Sequence, residues 1–209
     1  MDRALRRQDE SADARFYVQP RFVTHIDDGA IAAVTQVYRE TLPPGGAILD
    51  LMSSWVSHLP PEVEYGPVVG LGMNAAELAA NPRLASFAVH DLNINPTLPF
   101  ATGEFAAATV CVSVDYLAQP VLVLRDLARV VRVGGPLVIT FSDRCFPTKA
   151  VLAWLNANDA GRKRLVQDWL AAAERWDQVQ VLDRGQRRPL GDPLYAIIAH
   201  SRGPAPGGS

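Results

Sequence analysis

A chain of 209 residues that is 48% hydrophobic and 20% charged, with a formal net charge of -2, can bury one substantial core and has no electrostatic pull toward a polyanion. That balance argues against nucleic acid as a partner, and no apolar run approaches the roughly 20 residues needed to span a bilayer. Cys111 and Cys145 sit in or beside apolar runs without metal-ligand or redox spacing, and the first residues carry no apolar signal segment, so a cytoplasmic setting is expected.

In chain order, residues 1–14 are polar and charged and are expected as a flexible lead-in, followed by a single domain over 15–200. Asp27 or Asp28 can cap a helix whose apolar positions Ile31, Val34, Val37 and Tyr38 recur at helical spacing, and Pro43-Pro44-Gly45-Gly46 stops it. Ala47–Leu51 and Val68–Leu71 read as short strands, separated by a turn and a helix cut short at Pro60-Pro61. Asn74, with Glu77 three residues later, makes a capping box for a helix to about Ala80.

A third strand runs from Phe87 to His90, and the unbroken apolar run Ala107–Val114 suits a strand covered on both faces. Pro120 opens a helix with the stripe Val121, Leu124, Leu127 or Ala128, and Val131, which Gly134-Gly135 ends. Leu137–Phe141 is the fifth strand. Helices follow over about 149–156 and 160–174, with Trp154, Trp169 and Trp176 expected in the core. Gln178–Leu182 and Tyr195–His200 close the chain as strands joined by a polar loop with Pro189 and Gly191. Residues 201–209, rich in Gly, Pro and Ser, are expected as a loose tail, and the basic pieces at 162–164 and 184–188 as solvated faces. Alternating strands and helices with a terminal β-hairpin define an α/β fold with a doubly wound, mostly parallel sheet.

Ligands of such sheets bind beyond the carboxyl ends of the strands. The candidates are therefore the residues that close each strand: Asp50, Met52, Ser53 and Ser54; Gly70, Gly72, Met73 and Asn74; Asp91, Leu92 and Asn93; Ser113, Val114, Asp115 and Tyr116. Asp50 can hold an ammonium or cap the next turn. Gly70 can admit a ligand or pack a helix. Asp91 can accept from an adenine amine, with Leu92 or Met73 on the ring face, or form an Asx-turn into Asn95-Pro96. The histidines 25, 58, 90 and 200 have no ligand spacing, so no metal is expected.

The order Ile48-Leu49-Asp50-Leu51, Val69-Gly70-Leu71 and His90-Asp91-Leu92 with Leu98-Pro99-Phe100, and above all the segment Val123–Phe141 ("VLRDLARVVRVGGPLVITF"), resembles class I S-adenosylmethionine-dependent methyltransferases close to the methyltransferase type 11 pattern. The resemblance spans about 47–141. It implies a Rossmann-like sheet of seven strands ending in an antiparallel hairpin, S-adenosylmethionine as cofactor, and methyl transfer to a small-molecule acceptor. Three features depart from the pattern. The first turn carries Met52, Ser54 and Val56 instead of glycines, the ribose-binding acid is replaced by Gly72, and Ala106 stands where another acid is often found.

Such departures leave two other outcomes open: a degenerate binding or scaffold protein, and a non-methylating use of the cofactor. Serine hydroxyls at 53 and 54 can replace some backbone contacts if the turn keeps ordinary dihedrals. The resemblance also implies that the block Phe16–Ile31 folds over the cofactor, with Arg21 meeting the methionine carboxylate and Tyr17 or Phe22 lying against the sulfonium. His25 and Asp115 are the candidate acid–base groups, with Tyr17 and Tyr116 as hydroxyl partners. Arg144 and Phe146, after the fifth strand, are candidate acceptor contacts. Oligomeric state is open.

Overall fold

The computed structural model describes residues 3–184 and 191–203. Its strands are β1 (Ile48–Leu51), β2 (Val68–Gly72), β3 (Ser86–Val89), β4 (Ala107–Cys111), β5 (Pro136–Phe141), β6 (Trp176–Asp183) and β7 (Tyr195–Ser201). They form one sheet in the order β3-β2-β1-β4-β5-β7-β6. The first five are parallel, and β7 runs antiparallel to both β5 and β6. The strand order reverses at β1, so the ends of β1 and β4 flank the switch point where a crevice opens.

The helices are α1 (Asp13–Phe16), α2 (Asp28–Thr41), α3 (Ala75–Ala80), α4 (Pro120–Val130), α5 (Leu152–Leu155) and α6 (Asp159–Ala173). Asp27 caps α2 by accepting from the Ala30 N–H at 2.8 Å. The buried face of α2 (Val34, Val37, Tyr38) packs with Ile48, Val68, Ala107 and Val138 on one side of the sheet. On the other side, Leu124 and Leu127 of α4 and Val166 and Leu170 of α6 pack with Leu49, Leu51, Val110 and Ile139. Both faces are covered, which is why β1 and β4 show no alternation of apolar and polar residues. Trp154, Trp169 and Trp176 are all buried.

Four features differ from the sequence expectation. No helix joins β1 to β2; residues 52–67 cross as a loop, because Pro60, Pro61 and Pro67 deny it helical hydrogen bonds. The apolar run at 107–114 is not one strand: β4 stops at Cys111, Val112 takes φ 41°, and Val114–Tyr116 forms a 3-10 turn. The helix expected from 149 narrows to α5, the residues before it being a turn closed by Phe146 O accepting from Lys149 N and Ala150 N. β6 starts at Trp176 and contains a bulge between Asp177 and Gln180, with Gln178 at φ 49°.

The lead-in is docked from its third residue onward. Arg7 forms a β-bridge with Val151, Asp9 N–H donates to Thr148 O at 2.9 Å, and Leu152 N–H donates to Arg6 O at 2.8 Å. Lys149, fully buried, reaches Asp9 at 3.0 Å and Asp13 at 3.2 Å, while Arg7 meets Asp13 at 2.7 Å. At the other end Ser201 closes β7 and Gly203 N–H donates to Ser201 Oγ; the rest of the expected tail lies outside the described residues, as does Pro189. The basic piece at 162–164 is only partly a solvated face, since Arg162 lies over Trp154 and Lys163 over Tyr195. In the other basic piece, Arg184 pairs with Glu40, and residues 185–188 fall outside the described residues.

Candidate active site

A cavity of about 520 Å³ lies at the carboxyl ends of the parallel strands. Its walls bring together Met52, Ser53 and Ser54 after β1, Gly72, Met73 and Asn74 at the end of β2, and Asp91, Leu92 and Asn93 beyond β3. Ser113 and Tyr116 after β4 and Arg144 and Phe146 after β5 complete that side, and the N-terminal arm adds Tyr17, Arg21 and His25. Five candidates do not line it: Phe22, Asp50, Gly70, Val114 and Asp115.

Asp50 points into the fold. Its Oδ2 accepts from Ser53 Oγ and Ser57 Oγ, each at 2.6 Å, and its Oδ1 accepts from Thr109 Oγ1 at 3.0 Å. It organises the first turn and does not line the cavity. The turn itself leaves ordinary backbone space: Met52 has φ 57°, which lets Ser53 N–H donate back to Leu71 O at 2.8 Å. A Cβ on Gly72 would stand 2.3 Å from Ser53 O, so the missing acid at Gly72 makes room for the turn. Gly70 serves packing, since a Cβ there would stand 2.5 Å from Leu84 Cδ1. Val114 is fully buried core.

The side chain of Asn74 is spent: Oδ1 caps α3 by accepting from Ala76 and Glu77 N–H, and Nδ2 donates to Tyr17 O at 2.8 Å. Glu77 does not close the expected capping box. Its Oε1 accepts from Arg21 N–H at 2.7 Å and its Oε2 from Ser54 Oγ at 2.6 Å, so it ties the arm to the first turn while lining the cavity. Asn93 is a staple too, donating to Asp13 Oδ2 and Tyr116 O and accepting from Ala118 N–H. Asp91 forms the Asx-turn, its Oδ1 accepting from Asn93 N–H at 2.9 Å.

Arg21 lies within an aromatic cluster. Its guanidinium is 4.5 Å from the centroid of Phe16 and 5.4 Å from that of Phe146, and Nη2 donates to Phe16 O. Nη1 is buried without a partner, as is Oγ of Ser113. Phe146 meets His25 edge-on at 5.2 Å and Tyr116 at 5.8 Å, and Tyr116 Oη accepts from Phe146 N–H. Arg144 is 63% exposed and faces Asp192 at 3.5 Å. Phe22 is outside the cavity, exposed and edge-on to Trp55.

Desolvation pushes the Tyr17 phenol well above its ordinary range, so it stays a proton donor. Desolvation also draws the His25 imidazole below its usual value, against the pull of Glu77 and with the push of Arg21, so a neutral ring able to accept a proton predominates near pH 7. Asp115 is a different case. It is buried at the middle of the 3-10 turn, where desolvation pushes its carboxyl up to about 8, only partly offset by its own backbone amide and Arg162. It is a neutral acid below that pH, and it has no line to the cavity.

The native state thus keeps a proton on Asp115 that the unfolded chain releases near its ordinary 3.8, and stability falls as pH rises from there to about 8. Asp115→Asn should remove this slope. Chemical denaturation should show the variant gaining on the parent across that window, by roughly a few kcal/mol at its upper end.

The residues present fit an adenosyl amino acid. A buried guanidinium nitrogen and a buried hydroxyl lack partners in the cavity wall, Asp91 keeps Oδ2 free of protein hydrogen bonds among the described residues, and Met73 and Leu92 offer apolar surface beside it. Among the described residues no cluster of His, Cys, Asp or Glu is placed to hold a metal, and no helix is long and apolar enough to cross a membrane.

The sheet order, the antiparallel closing pair and the crevice define the fold of class I S-adenosylmethionine-dependent methyltransferases. The (4+2)-cyclase SpnF is similar over 91% of this chain and 92% of its own, with TM-score 0.64 and 14% identity. Geranyl diphosphate C-methyltransferase from Streptomyces coelicolor A3(2), seen with Mg2+, geranyl diphosphate and S-adenosyl-L-homocysteine, is similar over 90% and 96% with TM-score 0.58 and 13% identity. An S-adenosylmethionine-dependent methyltransferase from Mesorhizobium loti is similar over 80% and 97% with TM-score 0.56 and 16% identity. At these identities the likeness is one of fold. No protein-family model and no curated protein matches the sequence.

Proposed function

We propose that the protein binds S-adenosylmethionine in this cavity and directs its methyl group to a small-molecule acceptor. The observation that carries the reading is the buried, unpartnered Nη1 of Arg21 in the wall of a cavity at the strand ends. The cofactor supplies an electrophilic methyl on a sulfonium, so the chain has to orient the acceptor, exclude water and move a proton when the acceptor carries one.

Leu92 and Met73 flank the adenine position, with Asp91 Oδ2 as acceptor for its amine, and Ser113 Oγ offers a further polar contact. Arg21 holds the carboxylate. Phe146 and Tyr116 face the acceptor, the protonated Tyr17 phenol donates a hydrogen bond, and His25 takes up a proton released on transfer. Arg144, at the exposed end, meets an anionic portion of the acceptor.

Titration calorimetry with S-adenosylhomocysteine tests the reading. Saturable one-site binding with a negative heat-capacity change is expected, as apolar surface is covered. A folded protein that takes up neither S-adenosylhomocysteine nor S-adenosylmethionine would be a scaffold, and the proposal would fall. Product mass then separates methyl gain from a rearrangement at constant mass, the outcome that the cyclase neighbour brings into view.

A further inference from the structure

The amino-acid end of the cofactor carries two opposite charges, and a glycine-rich turn with a following helix is one means of holding it. That means is missing here. Asp50 is turned inward, the N–H and hydroxyl of Ser53 are committed to Leu71 O and Asp50, the hydroxyl of Ser54 is committed to Glu77, and no helix follows β1.

We infer that Glu77 and Arg21 form a clamp for this zwitterion, Glu77 taking the α-ammonium and Arg21 the α-carboxylate. The inference rests on the cofactor reading above. Glu77 is 9% exposed, lines the cavity, and has both oxygens fixed by Arg21 N–H and Ser54 Oγ. Among the described residues no cation pairs with it, and a carboxylate with one protein donor on each oxygen retains capacity for more. Asp13, the other buried acid of the wall, is already matched by Arg7 and Lys149.

Arg21 binds Glu77 through its backbone and not through its guanidinium, whose Nη2 goes to Phe16 O and whose Nη1 has no partner. A half-buried cation and a buried anion are thus joined through one backbone bond and form no ion pair with each other. Each is costly to leave in that state, and a ligand carrying both charges satisfies both at once. The imidazole of His25 senses the two charges with opposite sign, as a group lying close to both would.

The test separates a clamp from a structural staple. Glu77→Gln keeps the size and can still accept from Arg21 N–H while its amide donates to Ser54 Oγ. Calorimetry compares S-adenosylhomocysteine with 5′-methylthioadenosine, which carries the same nucleoside without the amino-acid group. Affinity for S-adenosylhomocysteine should fall roughly ten- to a hundred-fold in Glu77→Gln and in Arg21→Met, with affinity for 5′-methylthioadenosine within about twofold of the parent.

Equal losses for both ligands, or an unchanged affinity for S-adenosylhomocysteine in Glu77→Gln, would overturn the clamp and leave the cofactor reading intact. A parent protein that binds neither ligand overturns both.

Discussion

Replacing Asp13 by alanine is expected to release the N-terminal arm. The carboxylate sits between Arg7 and Lys149 and also accepts from Asn93 Nδ2 at 2.8 Å. Removing it leaves buried cations with too little counter-charge, a loss of about 3–5 kcal/mol. The arm contributes no strand to the sheet and is held by bonds to Thr148, Val151 and Leu152, Asn74 and Glu77, so much of that loss appears as local opening. Trypsin should then cut at Arg15 or Arg21 at least a hundred times faster than in the parent.

Acid should imitate the substitution. Burial pushes the Asp13 carboxyl up, but the Asn93, Arg7 and Lys149 contacts outweigh this and hold it below its ordinary 3.8. A depressed carboxyl stabilises the fold above the unfolded value and loses that contribution as pH falls through the folded one. The two proteins should therefore become equally sensitive at the acid end. A parent and variant with the same cleavage rate at pH 7 would contradict the latch.

The second large effect falls on Asp50. Asp50→Ala should cost about 2–4 kcal/mol in chemical denaturation, because the buried hydroxyls of Thr109 and Ser57 lose their acceptor and a void is left under the turn. Burial holds this carboxyl above its usual value despite the three hydroxyl donors. Its contribution is thus fullest in acid and fades as pH rises through the carboxylate range, so the deficit of the variant should shrink in the same direction. A normal melt with weakened S-adenosylhomocysteine binding would show instead that Asp50 touches the ligand.

The sheet is legible in the sequence because its strands are short apolar runs punctuated by Pro, Gly and capping residues, as at Asp27 and Asn74. The direction of Asp50 is not legible. Asp50 shares the parity of Ile48, yet both faces of β1 are buried, so alternation carries no contrast. Val112 looks like more strand, and nothing local announces its turn into φ 41°. Such a conformation in a β-branched residue is rare and marks a rim held by its surroundings.

Glu77 carries the signature of a capping box, and only the packed arm reveals that it reaches Arg21 and Ser54. The polar composition of residues 3–14 reads as loose because their partner, Lys149, lies more than a hundred positions away. Asp13 offers no local signal at all. Sixteen of the twenty-one candidates nevertheless line the cavity, thirteen of them because strand ends of a parallel sheet converge wherever their sequences lie.

The arm has a consequence for how the chain divides its labour. A shortened protein beginning at Asp27 would keep the helix cap, the pair of bonds in which Asp27 and Asp192 each accept the other's N–H on a carboxylate, the seven strands and both apolar layers. It would lack Tyr17, Arg21 and His25, and Phe146 and Lys149 would face bulk water. The stretch that builds the sheet and the stretch that closes one wall of the cavity are therefore consecutive pieces of one chain, and an uncovered platform would be left behind.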